Sequence, residues 1–214
     1  EAYCETHMVE AFKVNALGAR NLAAAARHLN AKIIHISTDD IFMGNRMDSV
    51  TEFDTPVPVT VYGKSKLAGE NYVRELTPRH LIIRSSWVYG FGNKHEDFLS
   101  KVCKAGEEGT TIKVPKDLVG SPTSVEKLAL FIEKQLTLSE YGVYHASCEG
   151  SCTRADFAKA ILKAMEYDPG LVEETCANED GSITKTVLEN LMMKMTEVYE
   201  MPAWEDELKK TLQD

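Results

Sequence analysis

Tyr62 and Lys66 are the pair whose types and spacing could do chemistry in this sequence. Four residues apart at a helix start, they project from one face. Reduction of a ketone needs a proton donor beside the carbonyl oxygen as hydride arrives on carbon. It gains from a second hydroxyl that steadies that oxygen. A free phenol, with a pKa near 10, is a poor partner at neutral pH, but a nearby ammonium favours the phenolate and lowers that value. Tyr62 and Lys66 fit those two roles. Thr38, in Ser37-Thr38-Asp39, fits the second hydroxyl. The motif alone is weak: with eight tyrosines in the chain, about one Tyr-x-x-x-Lys match is expected by chance, and by itself it reads rather as a surface helix.

What strengthens it is position. Lys32-Ile33-Ile34-His35-Ile36 reads as a short strand with Thr38 just past its carboxyl end, where ligands bind in open parallel sheets. Before it, Ala11, Val14, Gly18, Leu22 and Ala25 recur at three- and four-residue steps, so residues 6–29 read as a helix with those five on its buried face. A loop with Pro56 and Pro58 leads to a helix over residues 63–76, followed by the strand Leu81-Ile82-Ile83-Arg84. Short apolar strands alternating with helices imply a buried parallel sheet covered on both faces, an α/β fold. Beyond Tyr89 the pattern predicts helices at 97–105, 124–136, 154–165 and 204–212, with strands at 112–114 and 143–146. The polar stretch 173–182 reads as a surface loop.

Composition narrows the class. A chain of 214 residues that is 43% hydrophobic can bury a substantial core. A net charge of -9 argues against nucleic acid or an anionic membrane surface as the main partner. The chain contains no apolar run near the roughly 20 residues of a membrane span, and a cytoplasmic location is the simplest reading. Cys4, Cys103, Cys148, Cys152 and Cys176 form no Cys-x-x-Cys pair and read as reduced thiols. Cys148 and Cys152 with His145 lack a second ligand pair, so no metal site is expected. No Gly-x-Gly-x-x-Gly motif follows a strand, and Gly90-Phe91-Gly92 lacks both the third glycine and the helix. The chain therefore reads as starting inside a domain, and alone it should bind a dinucleotide poorly.

Several runs occur in order: Val14-Asn15-Ala16-Leu17-Gly18-Ala19-Arg20-Asn21-Leu22, Ser37-Thr38-Asp39, Val61-Tyr62-Gly63-Lys64-Ser65-Lys66-Leu67-Ala68-Gly69-Glu70 and Arg84-Ser85-Ser86-Trp87-Val88-Tyr89-Gly90. Gly120-Ser121-Pro122-Thr123, Val187-Leu188-Glu189-Asn190 and Met201-Pro202-Ala203-Trp204 complete the set. Over nearly its whole length the sequence resembles the dTDP-4-dehydrorhamnose reductases, a family of extended short-chain dehydrogenase/reductases. The resemblance implies that Tyr62 is the general acid, that Lys66 holds the nicotinamide ribose of NADPH or NADH while tuning Tyr62, and that Thr38 polarises the sugar C4 carbonyl. It implies substrate contacts from Asp39 and Trp87, the latter offering an aromatic surface to a deoxysugar. Asn15 matches an asparagine of the superfamily and reads as structural, its amide bonding backbone. Asp40 stands where the family usually has tyrosine, and Met43 precedes Gly44 where it usually has aspartate. Both bear on the choice of sugar.

The fold expected from the resemblance is part of a Rossmann-like, doubly wound parallel sheet with a small α/β substrate-binding domain. Residues 1–90 and 121–148 would form the cofactor side, and 91–120 and 149–214 the substrate side. The activity implied is reduction of a dTDP-linked 4-ketosugar, dTDP-4-dehydro-L-rhamnose, and the assembly implied is a homodimer. Two other readings stand beside it. One is a non-catalytic regulatory subunit of the same fold, similar to the methionine adenosyltransferase β subunit. The other is a nucleotide-sugar epimerase or dehydratase, though Asp39-Asp40 lacks the glutamate usual after the threonine of dehydratases.

Overall fold

The computed structural model describes residues 2–45, 47–90 and 97–213. It opens with a helical rod made of α1 (Ala2–Thr6), α2 (Met8–Phe12), a π-helical turn (Lys13–Gly18) and α3 (Ala19–His28). Its buried residues are Ala11, Ala16, Ala19 and Ala23. Of the face expected from the sequence only Ala11 is among them, and Val14 and Leu22 are 72% and 66% exposed. The π turn is the reason. It inserts a five-residue step between Ala11 and Ala16, so a face traced at steps of three and four rotates out of phase.

The chain continues through β1 (Ile33–Thr38), a 3-10 turn (Asp39–Phe42), α4 (Val61–Leu76), β2 (His80–Ser85), β3 (Val88–Tyr89), α5 (Phe98–Glu108), β4 (Ile112–Pro115), β5 (Leu118–Gly120) and β6 (Thr123–Ser124). It ends with α6 (Val125–Thr137), β7 (Gly142–His145), β8 (Cys152–Thr153), α7 (Arg154–Ala164), β9 (Val172–Thr175), β10 (Thr184–Lys185), α8 (Leu191–Thr196) and α9 (Trp204–Gln213). The central sheet is parallel, in the order β1-β2-β7, with Ile33 opposite His80 and Leu81 opposite Gly142. Leu81, Ile82 and Ile83 on its middle strand are fully buried. Ile82 packs with Ala19, Ala23 and Val73 of the rod and α4. Leu81 and Ile83 point the other way, into a larger cluster with Phe131, Tyr144, Phe157 and Trp204. Alternation along one strand thus supplies two helical layers, and each such aliphatic side chain contributes roughly 1.5–3 kcal/mol by burial. The α/β class and its parallel sheet are as the sequence implied.

Among the described residues, the sheets β10-β5-β8, β3-β6 and β4-β9, all of short strands, lie around this core. The pairing of β9 with β4 corrects one expectation. Residues 173–175 belong to a strand running parallel to Ile112–Pro115, not to a loop. Only Val172 of that strand is buried, so pairing rather than a hydrophobic pattern creates it. Phe91 and Gly92 of the glycine pair, and the first six residues of the 91–120 segment, lie outside the described residues.

Candidate active site

The carboxyl ends of β1 and β2 open into a cavity of about 550 Å³. Thr38, Asp39, Tyr62, Lys66 and Trp87 all line it. Two elements therefore bring the hydroxyl, phenol and ammonium groups of the sequence reading to one space: the end of β1 and the start of α4.

Tyr62 is the second residue of α4, where backbone N–H groups have no partner within the helix. Every one of the first four is accounted for. Gly63 N–H donates to Thr60 Oγ1 at 2.9 Å, and Lys64 N–H to Thr60 O at 3.0 Å. Val61 and Tyr62 N–H donate to the two carboxylate oxygens of Glu5, at 3.1 and 3.2 Å. A carboxylate at that end also complements the positive pole of the helix. Behind Tyr62, its carbonyl accepts from Ser65 Oγ at 2.8 Å, and Ser65 Oγ accepts from Asn15 Nδ2 at 2.9 Å. Asn15 thus bonds a side-chain hydroxyl rather than the backbone partner expected of it. The close approach requires Gly69, where a Cβ would stand 2.3 Å from the Asn15 carbonyl oxygen.

Lys66 lies one turn beyond Tyr62, and its ammonium donates to Ile36 O at 2.6 Å. Burial lowers its pKa, opposed by the charge of Glu70. An ammonium carries three donors, so the bond to Ile36 engages only part of its capacity. On the same strand, burial aided by the charge of Lys66 holds His35 down to about 4. His35 is therefore neutral at pH 7.

Thr38 ends β1 and caps the 3-10 turn, its Oγ1 accepting from Asp40 N–H at 3.2 Å and donating to Asp39 Oδ1 at 3.4 Å. Asp39 is 4% exposed, and its Oδ2 accepts from Ser86 Oγ at 2.8 Å and Thr186 Oγ1 at 2.5 Å. Its carboxylate thereby ties the end of β1 to the residues just after β2 and β10, a bracing part the sequence reading did not assign. Trp87 adopts a left-handed backbone with φ 42°, uncommon for an aromatic residue and typical of strain held at sites. Its indole packs so closely on Gly120 that a Cβ there would come within 2.6 Å of the ring.

Glu5 and Arg154 also line the cavity and were not singled out from the sequence. Glu5 gives no local signal, because its partners lie more than fifty residues away. Arg154 does leave one: a cation in the first turn of a helix opposes the preference of the macrodipole. Elsewhere, burial pushes the Cys148 and Cys152 thiols up to about 11 and about 12, leaving both protonated at neutral pH. Among the described residues, no group of three His, Cys, Asp or Glu could hold a metal ion, and no helix is long and apolar enough to cross a membrane.

A family model described as the RmlD substrate binding domain matches residues 2–214. The spore coat polysaccharide biosynthesis protein SpsK of Bacillus subtilis is 36% identical over 172 residues, which cover 80% of this chain and 60% of that protein. The dTDP-4-dehydrorhamnose reductase of Sinorhizobium fredii is 34% identical over 174 residues, 78% of this chain and 58% of that protein. The chain thus spans about three-fifths of the length of these curated relatives. The crystal structure of the Bacillus anthracis dTDP-4-dehydrorhamnose reductase in complex with NADP superimposes with a TM-score of 0.90 at 35% identity. It covers 98% of this chain and 75% of that one.

Proposed function

The chain belongs to the RmlD substrate binding domain family, and on that premise we propose that it carries the catalytic and substrate-binding part of an NAD(P)H-dependent oxidoreductase of dTDP-rhamnose biosynthesis. The reaction is reduction of the C4 ketone of dTDP-4-dehydro-L-rhamnose to give dTDP-L-rhamnose. The observation that carries this reading is that Thr38, Tyr62 and Lys66 line one cavity at the carboxyl ends of β1 and β2. The relatives named as reductases support it, and nothing in the site favours the regulatory-subunit or dehydratase readings.

The donor set suits a nicotinamide nucleotide. A phenol and an ammonium one helical turn apart, at the carboxyl ends of parallel strands, match the hydroxyls of a ribose. When bound, the nicotinamide supplies the hydride. Tyr62 gives its phenolic proton to the C4 oxygen as charge develops there, and Thr38 donates a hydrogen bond to the same oxygen. Lys66 steadies the phenolate left behind and, with its remaining donors, holds the ribose. Asp39 keeps Thr38 and the segment ending at Thr186 in place, while Trp87 and Val88 give the sugar an apolar wall. In this reading residues 1–90 and 121–148 serve the cofactor, 91–120 and 149–214 serve the substrate, and the protein works in the cytoplasm as a homodimer.

Tyr62→Phe removes the transferable proton and little else. Turnover should fall about 10²- to 10⁴-fold, with the affinity for the nucleotide sugar, read by calorimetry, nearly unchanged. Unchanged turnover in that variant would end the mechanism.

A further inference from the structure

We propose that Arg154 is the diphosphate-recognising residue of this cavity, engaging the pyrophosphate of a nucleotide sugar through the edge of its guanidinium. The proposal rests on the reductase reading above, which makes the ligand a nucleoside diphosphate sugar. Such a ligand brings at least two negative charges into a space whose described lining includes the carboxylates of Glu5, Asp39 and Asp40. Lys66 and Arg154 are the cations among the described lining residues. Lys66 shares α4 with Tyr62 and is bonded to Ile36 O, which places it with the reacting carbonyl. Arg154 enters the same cavity from a different element, α7.

The surroundings of Arg154 suit that task. Its guanidinium carbon lies 4.3 Å from the ring centroid of Trp87 and 4.2 Å from that of Phe98. Stacking sets the face of a guanidinium against a ring and directs its N–H groups outward in its own plane, the geometry in which Arg meets two phosphate oxygens. Two rings also restrict a side chain that otherwise has many rotamers, so less freedom remains to be lost when an anion arrives. The placement has a helical cost, because the first turn of α7 favours acids. Asp156 meets that preference by accepting from the Thr153 hydroxyl and donating its backbone N–H to it. A cation kept in that turn and held between two aromatic rings at a cavity wall fits a ligand-binding task. Trp87 then acts twice, as an apolar wall for the sugar and as the surface that orients Arg154.

The test is a ligand-detected NMR titration of the protein with dTDP and, separately, with thymidine, comparing wild type with Arg154→Met. Wild type should bind dTDP more tightly than thymidine. Arg154→Met should weaken dTDP by tenfold or more and leave thymidine unchanged. Arg154→Gln, which keeps a planar amide between the rings, should do the same and is the second variant should the methionine protein not fold. In turnover the loss should fall on KM rather than kcat, because the diphosphate is held alike in ground and transition states. Undiminished dTDP binding in either folded variant would overturn the proposal while leaving the reductase reading intact. An equal loss for thymidine would also overturn it, by making Arg154 structural. Failure of the wild-type protein to bind dTDP would overturn both.

Discussion

At the scale of single residues, the site depends on groups that touch nothing reactive. Glu5 is the clearest case, since its carboxylate receives the backbone N–H of Tyr62 and of the residue before it. Replacing Glu5 by Ala leaves those two donors to water. By analogy with helix caps the stability cost is about 1 kcal/mol. The larger effect should be on turnover, because the first turn of α4 carries the phenol and a small displacement at a reacting group is expensive. Glu5→Ala is expected to lower kcat about tenfold with KM for the nucleotide sugar nearly unchanged, as read from steady-state kinetics. An unchanged kcat would mean that Thr60 alone positions the helix. Asp39, a cavity-lining residue, braces as well: accepting from the Ser86 and Thr186 hydroxyls, it holds the turn that presents Thr38.

At the scale of elements, what the sequence made legible is what local chemistry determines. The loop with Pro56 and Pro58 announces α4, and the runs of Ile and Leu mark β1 and β2, each within a few residues of its observed ends. Thr38, Tyr62 and Lys66 were legible from residue type, spacing and position, Asp39 and Trp87 through the family resemblance, and the structure gathers all five around one cavity. Three features could not be read this way. The buried face of the rod depends on a π turn, which no residue pattern announces and which places Asn15 within reach of Ser65. The strand Val172–Thr175 exists because β4 offers it hydrogen bonds. Glu5 and Arg154 join the site only through contacts between distant segments, with Arg154 placed against the ring of Trp87, just past β2, and that of Phe98, which begins α5. Those are properties of packing, which local propensity does not encode.

At the scale of the whole molecule, the parallel sheet is fastened to the elements around it by buried polar groups. Glu70 on α4 receives Arg84 of β2 through both carboxylate oxygens, at distances from 2.8 to 3.2 Å, with both side chains almost wholly buried. Beside them His145 of β7 lies 3.5 Å from Arg84 and makes a hydrogen bond to Glu189 O at 3.0 Å. Burial, helped by the Arg84 charge, holds His145 at about 3, and burial helped by the Lys66 charge holds His35 at about 4, against 6.5 for an ordinary histidine. Between pH 6.5 and those values the unfolded chain binds protons that the folded chain refuses. Folding stability contributed by these neutral rings is therefore full above pH 6.5 and falls as pH drops, by at most about 1.4 kcal/mol per pH unit for each. Denaturant midpoints at pH 7.5 and 5.0 should show the lower stability at pH 5.0, and His35→Asn should shrink the difference. Equal midpoints would show that neither ring resists protonation as its burial implies.

The most direct test of the central claim is the near-ultraviolet absorbance of NADPH in the whole protein that carries this chain, followed on adding dTDP-4-dehydro-L-rhamnose. A fall that requires the sugar nucleotide and recurs with each addition is the expected result. A flat trace with NADPH and with NADH alike, while the sugar nucleotide still binds, would contradict the assignment of reduction to this site.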